Sequence, residues 1–142
     1  MSAPAAEPMY LSLDDVVAIH RAAVLRMGRS PEPLRDPGLL ESAITRARTA
    51  AHYEGADLVR QATLLAVSIS QAQAFVDGNK RAGLASADIF LRLNGLAFTG
   101  DSLEFARQFG IVAGRASSLE DATDVFEAWL RERVGPRTEG RS

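Results

Sequence analysis

Apolar residues along this chain recur mostly every three or four positions, the spacing of one face of an α-helix. Leu13, Val16, Val17, His20, Val24 and Met27 form the first such stripe. Ser12 precedes it as a predicted N-cap, with Asp15 completing a capping box and Gly28 placed to close the helix. After a loop holding Pro31, Pro33 and Pro37, the pair Asp36-Pro37 reads as N-cap and first helical residue. That second helix is expected to run to about Ala50, with Leu40, Ala43, Ile44 and Ala47 inward. His52-Tyr53-Glu54-Gly55 reads as a break, either a loop or a short flap. A strongly apolar helix is expected over 56–73, carried by Leu58, Ala62, Leu65, Ala66 and Ile69.

The loop 74–78 interrupts the pattern, and a new helix is expected over 79–94, with Leu84, Ala87, Phe90, Leu91 and Leu93 as its apolar faces. Gly95 ends it, and Leu96-Ala97-Phe98 reads as a short extended piece. Asp101 with Glu104 starts a fifth helix that runs toward Gly114. Ser118 with Asp121 opens a sixth, burying Leu119, Ala122, Val125, Phe126, Trp129 and Leu130 and stopping near Gly135. The expectation is an all-α fold of about six helices with little or no strand. Residues 10–135 form its single domain, between flexible ends at 1–9 and 136–142 that are rich in Pro, Gly or charge.

Composition agrees with that picture and removes several chemistries. Apolar residues make up 46% of the 142 and aromatics only 6%, so the core is one of Ala, Leu, Val and Ile, which suits close-packed helices. With no cysteine, neither disulfides nor thiolate catalysis nor thiolate-bound zinc is available. The only histidines are His20 and His52, too few for a multi-histidine metal site. Sixteen basic against eighteen acidic residues argue against broad nucleic-acid binding and a DNA-binding regulator. The first residues lack the pattern of a signal peptide, and no apolar run approaches the ~20 residues of a membrane span. A cytoplasmic protein is the expectation.

The chemically informative stretch is the turn between the third and fourth helices. Gly78 permits backbone angles that a side chain would hinder. The amides of Gly78, Asn79, Lys80 and Arg81 are expected to be the first N–H groups of the fourth helix, without partners inside it. Free donors at the positive end of a helix dipole attract anions. Lys80 and Arg81 add two positive charges at that end, where the dipole alone disfavours them. Arg81 is suited to gripping phosphate oxygens bidentately, and Lys80 to acting as a point charge. Asp77 beside them has the chemistry of a magnesium ligand next to phosphates. Phe75 is the expected apolar peg of the loop. Read from these residues alone, a solvated interhelical turn is as good an account as a phosphate site.

The segment Gln73-Ala74-Phe75-Val76-Asp77-Gly78-Asn79-Lys80-Arg81 resembles the signature of the Fic/Doc family, His-x-Phe-x-Asp/Glu-Gly/Ala-Asn-Gly/Lys-Arg, at six of its seven defined positions. Lys80, where most Fic proteins carry Gly, is similar to the Doc (death-on-curing) branch. Leu13-Asp-Asp-Val-Val-Ala-Ile-His20, Asp36-Pro-Gly-Leu-Leu-Glu-Ser-Ala-Ile44 and Phe90-Leu-Arg-Leu-Asn-Gly95 extend the resemblance over most of the chain. The resemblance implies a helical fold that uses ATP and magnesium (Mg2+). In the Doc branch it implies phosphorylation of elongation factor Tu; in Fic proteins at large it implies AMP transfer to a protein hydroxyl. It further implies Asp77 as the metal ligand, Gly78, Asn79, Lys80 and Arg81 around the phosphates, and His52, Tyr53 and Glu54 in a flap that aligns the target. A Phd-like antitoxin is the implied partner, its disordered segment lying in a groove between helices.

One departure bears on catalysis. The family's histidine, which takes the proton of the attacking hydroxyl, is Gln73 here, and the proline usual after it is Ala74. Glutamine does not titrate near neutral pH. Transfer is therefore expected to be impaired, and a degenerate Fic-fold protein that binds nucleotide or antitoxin is the alternative. The inhibitory motif Ser/Thr-x-x-x-Glu-Gly/Asn of some Fic proteins is absent, because Ala50 precedes Glu54-Gly55 and Gly135 precedes Glu139-Gly140. His20, on an apolar stripe, is read as a hydrogen-bonded core residue, and His52 as a group near the flap. Ser70 and Gln71 are read as packing or solvated positions.

Overall fold

Ser12 caps the first helix, α1 (Leu13–Arg26), as expected: its hydroxyl accepts from the Asp15 N–H, and the Asp15 carboxylate accepts from the Ser12 N–H. The computed structural model describes residues 7–115 and 118–138. Asp36 caps α2 (Pro37–Glu54) through the Leu39 N–H, and Asp57 caps α3 (Leu58–Ala72) through the Arg60 N–H. α4 (Asn79–Leu93) follows the loop, then β1 (Leu96–Phe98), α5 (Ser102–Arg115), α6 (Leu119–Arg131) and β2 (Val134–Pro136). The architecture is thus six helices with one small two-stranded sheet, antiparallel, pairing Leu96 with Pro136, Ala97 with Gly135 and Phe98 with Val134.

α3 is the centre of the molecule. Every residue from Gln61 to Ser70 is buried, because α4 covers one side, α2 another and α6 a third. The approach of α3 to α4 is close enough to require small residues. A methyl group on Gly83 would stand 2.4 Å from the Ala66 carbonyl oxygen. Ala62, Ala66, Ala82, Ser86 and Ala87 line the same seam, all buried. Five aromatic residues gather elsewhere, between α5, α6 and β1: Phe105 lies 3.6 Å from Phe98 with its plane tilted by 33°, and meets Phe126 and Trp129 edge-on, while Phe109 packs on Phe126.

Three expectations are corrected. The second helix does not end at Ala50 but continues through Glu54, since nothing in Ala51 to Glu54 disfavours a helix. Only Gly55, left-handed at φ 67°, can turn the chain, and the Ala56 N–H then closes on the Ala50 carbonyl. Val125, expected to be buried, is 55% exposed on the flank of the stripe led by Phe126, and Leu93, on an expected apolar face, is 41% exposed beside Phe90. Chain past Gly135 is paired as well: Pro136 lies in β2, and the Arg137 N–H donates to the Gly95 carbonyl. The Leu119 side chain lies outside what is described, as do residues 1–6, 116–117 and 139–142.

Candidate phosphate-binding loop

α3 ends on Gln73, which adopts the left-handed region at φ 53°, the sole non-glycine residue to do so among those described. Arg35 holds it there by donating to the Gln73 carbonyl at 2.5 Å. The next carbonyl, of Ala74, accepts from both the Arg35 and the Asp36 N–H groups, and Leu34 bridges to Phe75 in antiparallel fashion. Phe75 is 1% exposed, the apolar peg expected of it. Asn79 then closes the turn upon itself. Its Oδ1 accepts from the Phe75 N–H at 3.1 Å and its Nδ2 donates to the Phe75 carbonyl at 2.9 Å. Asn79 is consequently buried, an anchor for the loop backbone.

Gly78, left-handed at φ 79°, starts α4 without any side-chain cap. Its own N–H is not free as expected: the Asp77 carboxylate folds back and accepts it at 2.8 Å. The N–H groups of Asn79, Lys80 and Arg81 have no intrahelical partner, and no acceptor among the described residues meets them. No acidic residue occupies the first turn of α4. Lys80 and Arg81 are exposed, and neither pairs with a carboxylate among the described residues. Three unmet donors, the positive end of a helix dipole and two unpaired cations therefore lie within the first turn of α4, a favourable field for an anion.

Asp77 lies beside it, exposed, with Oδ2 at 2.5 Å from the Arg29 guanidinium. That guanidinium, together with the Gly78 N–H, holds the Asp77 carboxyl below the usual carboxylate range, so it is ionised near neutral pH. An ionised carboxylate next to an anion site is what magnesium uses when phosphates supply its other ligands. The donor set fits one such ion on condition that Arg29 moves off Oδ2. No cluster of three or more His, Cys, Asp or Glu side chains occurs among the described residues, so an ion at Asp77 would take most of its ligands from phosphate and water.

Gln73 faces the same turn but is engaged in it. Its Nε2 donates to the Ser70 carbonyl at 2.9 Å, and its Oε1 lies 3.4 Å from Asn79 Nδ2. The side chain is well placed to orient a neighbour and unable to take a proton.

Gln73, Asp77, Gly78, Asn79, Lys80 and Arg81 are thus brought together; His52, Tyr53 and Glu54 are not. Of the break expected at 52–55, only Gly55 interrupts the helix; residues 52–54 are the last turn of α2, next to the start of α3, whereas Gln73 caps the opposite end. Fifteen residues of helix separate the two ends, about 22 Å at ~1.5 Å per residue. His52 accordingly does not stand in for the missing base. The segment that does reach the loop is the proline-punctuated stretch 29–36, through Arg29, Leu34 and Arg35. Its lack of periodicity left no signal of that role in the sequence.

Comparison with known proteins agrees with the motif. The model of the Fic/DOC family matches residues 10–91, which take in α1 to α3, the loop and nearly all of α4. The chain is 35% identical over 123 residues to "Protein kinase doc" of Escherichia phage P1, spanning 86% of this chain and 94% of that protein. It is 34% identical over 96 residues to "Toxin Doc" of Mycolicibacterium smegmatis, spanning 65% of this chain and 69% of the relative. With the signature residues gathered on one turn, and the similarity covering the helices that build it, this chain belongs to the Fic/DOC family.

Proposed function

We propose that this protein is the toxin of a toxin–antitoxin pair and a Doc-like transferase that phosphorylates a translation factor such as elongation factor Tu, with activity lowered by Gln73. One observation carries the reading: the uncapped N-terminus of α4, where three free amides meet the unpaired Lys80 and Arg81. In this reading Asn79, Lys80 and Arg81 hold the phosphates of ATP, and Asp77 is the residue that would hold a magnesium ion, which neutralises phosphate charge when bound. The target hydroxyl oxygen attacks the γ-phosphorus while the bond from that phosphorus to the bridging oxygen breaks and ADP leaves. The hydroxyl proton passes to solvent, since the side chain at 73 cannot accept it. Loss of a general base lowers such a rate by about 10²–10⁴.

The relatives' names, a protein kinase and a toxin, support this assignment over AMP transfer. The antitoxin in this reading is Phd-like. Its disordered segment would occupy the cleft of about 450 Å³ between α1, α4 and α5, where Ala23, Leu84, Phe98, Leu103 and Phe109 adjoin Arg26 and Lys80. Such a protein works in the cytoplasm without contacting membrane or nucleic acid, and no helix among the described residues is long and apolar enough to cross a membrane. A second reading, a degenerate Fic-fold protein that binds nucleotide or antitoxin without transfer, is favoured by the engagement of Gln73 with Ser70 and Asn79.

Incubation with ATP and elongation factor Tu separates these readings, with one sample labelled at the γ and one at the α position. Label from γ alone is the expected result, and label from both positions means AMP transfer. No label, with ATP still bound, supports the second reading. ATP binding unaffected by Arg81→Ala would overturn the phosphate assignment.

A further inference from the structure

The loop is shaped from outside by a residue that the transfer reaction does not use. His20 sits on α1, 57 residues before Asp77, and is 3% exposed. Its ring lies flat on Phe75, with centroids 3.7 Å apart and planes inclined by 8°. Its Nε2 is 2.7 Å from the Asp77 carbonyl oxygen. A carbonyl only accepts, so Nε2 carries the hydrogen and donates. The ring also underlies Gly78, where an added methyl group would come within 3.3 Å of Nε2 and 3.0 Å of Val24 Cγ2. One side chain therefore contacts the loop at 75 and 77 and leaves little room for a side chain at 78.

The consequence follows from peptide geometry. In a trans peptide the C=O and N–H point in opposite directions. With the Asp77 carbonyl drawn inward to His20, the Gly78 N–H is turned outward, where the Asp77 carboxylate meets it. The left-handed turn at Gly78 then begins α4 with its free amides facing the same way. Without the His20 bond that peptide is free to rotate, and the amides lose their common direction. We propose that His20 is a positioning residue that fixes the orientation of the Asp77–Gly78 peptide and thereby assembles the anion site from α1. As far as it concerns phosphate, this rests on the reading of the loop given above.

The alternative is that His20 merely fills space in the core, and two variants separate the roles. His20→Leu and His20→Gln both remove the ring from Phe75, but only Gln places an amide N–H the same number of bonds from Cα as Nε2. ATP affinity in the presence of magnesium is measured by calorimetry and thermal stability by circular dichroism. Both variants are expected to melt earlier than the wild type. The Leu variant should bind ATP about tenfold more weakly, the loss expected of one hydrogen bond, and the Gln variant within about threefold of wild type. Equal ATP affinities in the two variants would overturn the proposal.

If the wild-type chain binds no ATP, the phosphate reading fails and the role of His20 is decided on the backbone. Amide resonances of Gly78 and Asn79 in 15N–1H spectra should move in the Leu variant and stay near their wild-type positions in the Gln variant. Unmoved resonances in the Leu variant refute the positioning role. Should the Leu variant not fold, His20→Asn, one bond too short to reach the carbonyl, takes its place in both measurements.

Discussion

Asn79 uses its side chain on the backbone of its own turn, and this separates it from Lys80 and Arg81. Both of its bonds go to Phe75, one to the N–H and one to the carbonyl, in a buried setting. Asn79→Ala leaves a buried N–H without a partner, so it is expected to destabilise the fold by about 1–3 kcal/mol, read from urea unfolding. Gln73 is the other decisive side chain. The turn there is held by Arg35 through the residue's carbonyl, so the backbone accepts a different side chain at this position. Gln73→His therefore restores a titratable group with little effect on folding. Labelled-phosphate transfer is expected to rise by about 10²–10⁴, and toxicity on expression to rise with it. Unchanged transfer in this variant would place the defect elsewhere than in the base.

Between elements, the seam of α3 and α4 sets the tolerance of the fold. Gly83 faces the Ala66 carbonyl so closely that a methyl group forces backbone to move. Gly83→Ala is therefore expected to cost about 1–3 kcal/mol in spite of its better helix propensity, measured as a lower urea midpoint at unchanged m. α3 is tied to α6 by charge as well. Asp57 accepts from Arg131 at 2.7 Å while it caps α3. The Arg131 hydrogen bond is the main reason that the Asp57 carboxyl titrates below its usual range. A carboxyl with a depressed folded value contributes stability above its unfolded value, near 3.9, and loses it as pH falls through the folded value. Asp57→Asn keeps a good cap but loses the ion pair. The melting temperature of this variant should lie below that of wild type by a constant amount from pH 5 to 8, with the gap closing below about pH 4.

Over the whole molecule, α4 acts as a strut with different tasks at its two ends. Its N-terminus carries the phosphate loop. Its C-terminus gathers both ends of the described chain: Met9 exchanges two hydrogen bonds with Asn94, β2 pairs with β1, and Arg137 donates to the Arg92 and Gly95 carbonyls. The ends are about 22 Å apart for a 15-residue helix at ~1.5 Å per residue. Truncation after Arg133 removes β2 and both Arg137 bonds, so the melting temperature is expected to fall. ATP affinity should stay within about twofold, because none of the described residues removed bonds to the loop. A matching fall in ATP affinity would mean that the two ends are coupled.

What the sequence determined by itself was local. Each of the caps at Ser12, Asp36 and Ser118 is a short-range bond between a side chain and a backbone three residues on, so spacing alone reveals it. The loop was legible for the same reason: Phe75, Asp77, Gly78, Asn79, Lys80 and Arg81 fall within one run of seven residues, and the lack of a proton acceptor at Gln73 is a matter of residue type. The end of α2 was misplaced because a polar tetrapeptide is compatible with helix and loop alike, and only Gly55 enforces the turn. Tertiary structure alone decided what surrounds the loop. Arg29 on Asp77, Arg35 on Gln73 and His20 on the Asp77 carbonyl come from 38 to 57 residues away. His52, Tyr53 and Glu54, by contrast, are kept from Gln73 by chain order, since the whole of α3 lies between them. Local spacing records which way a side chain faces on its own helix, whereas its partner depends on how helices stack, and that is settled by the packing of the whole core.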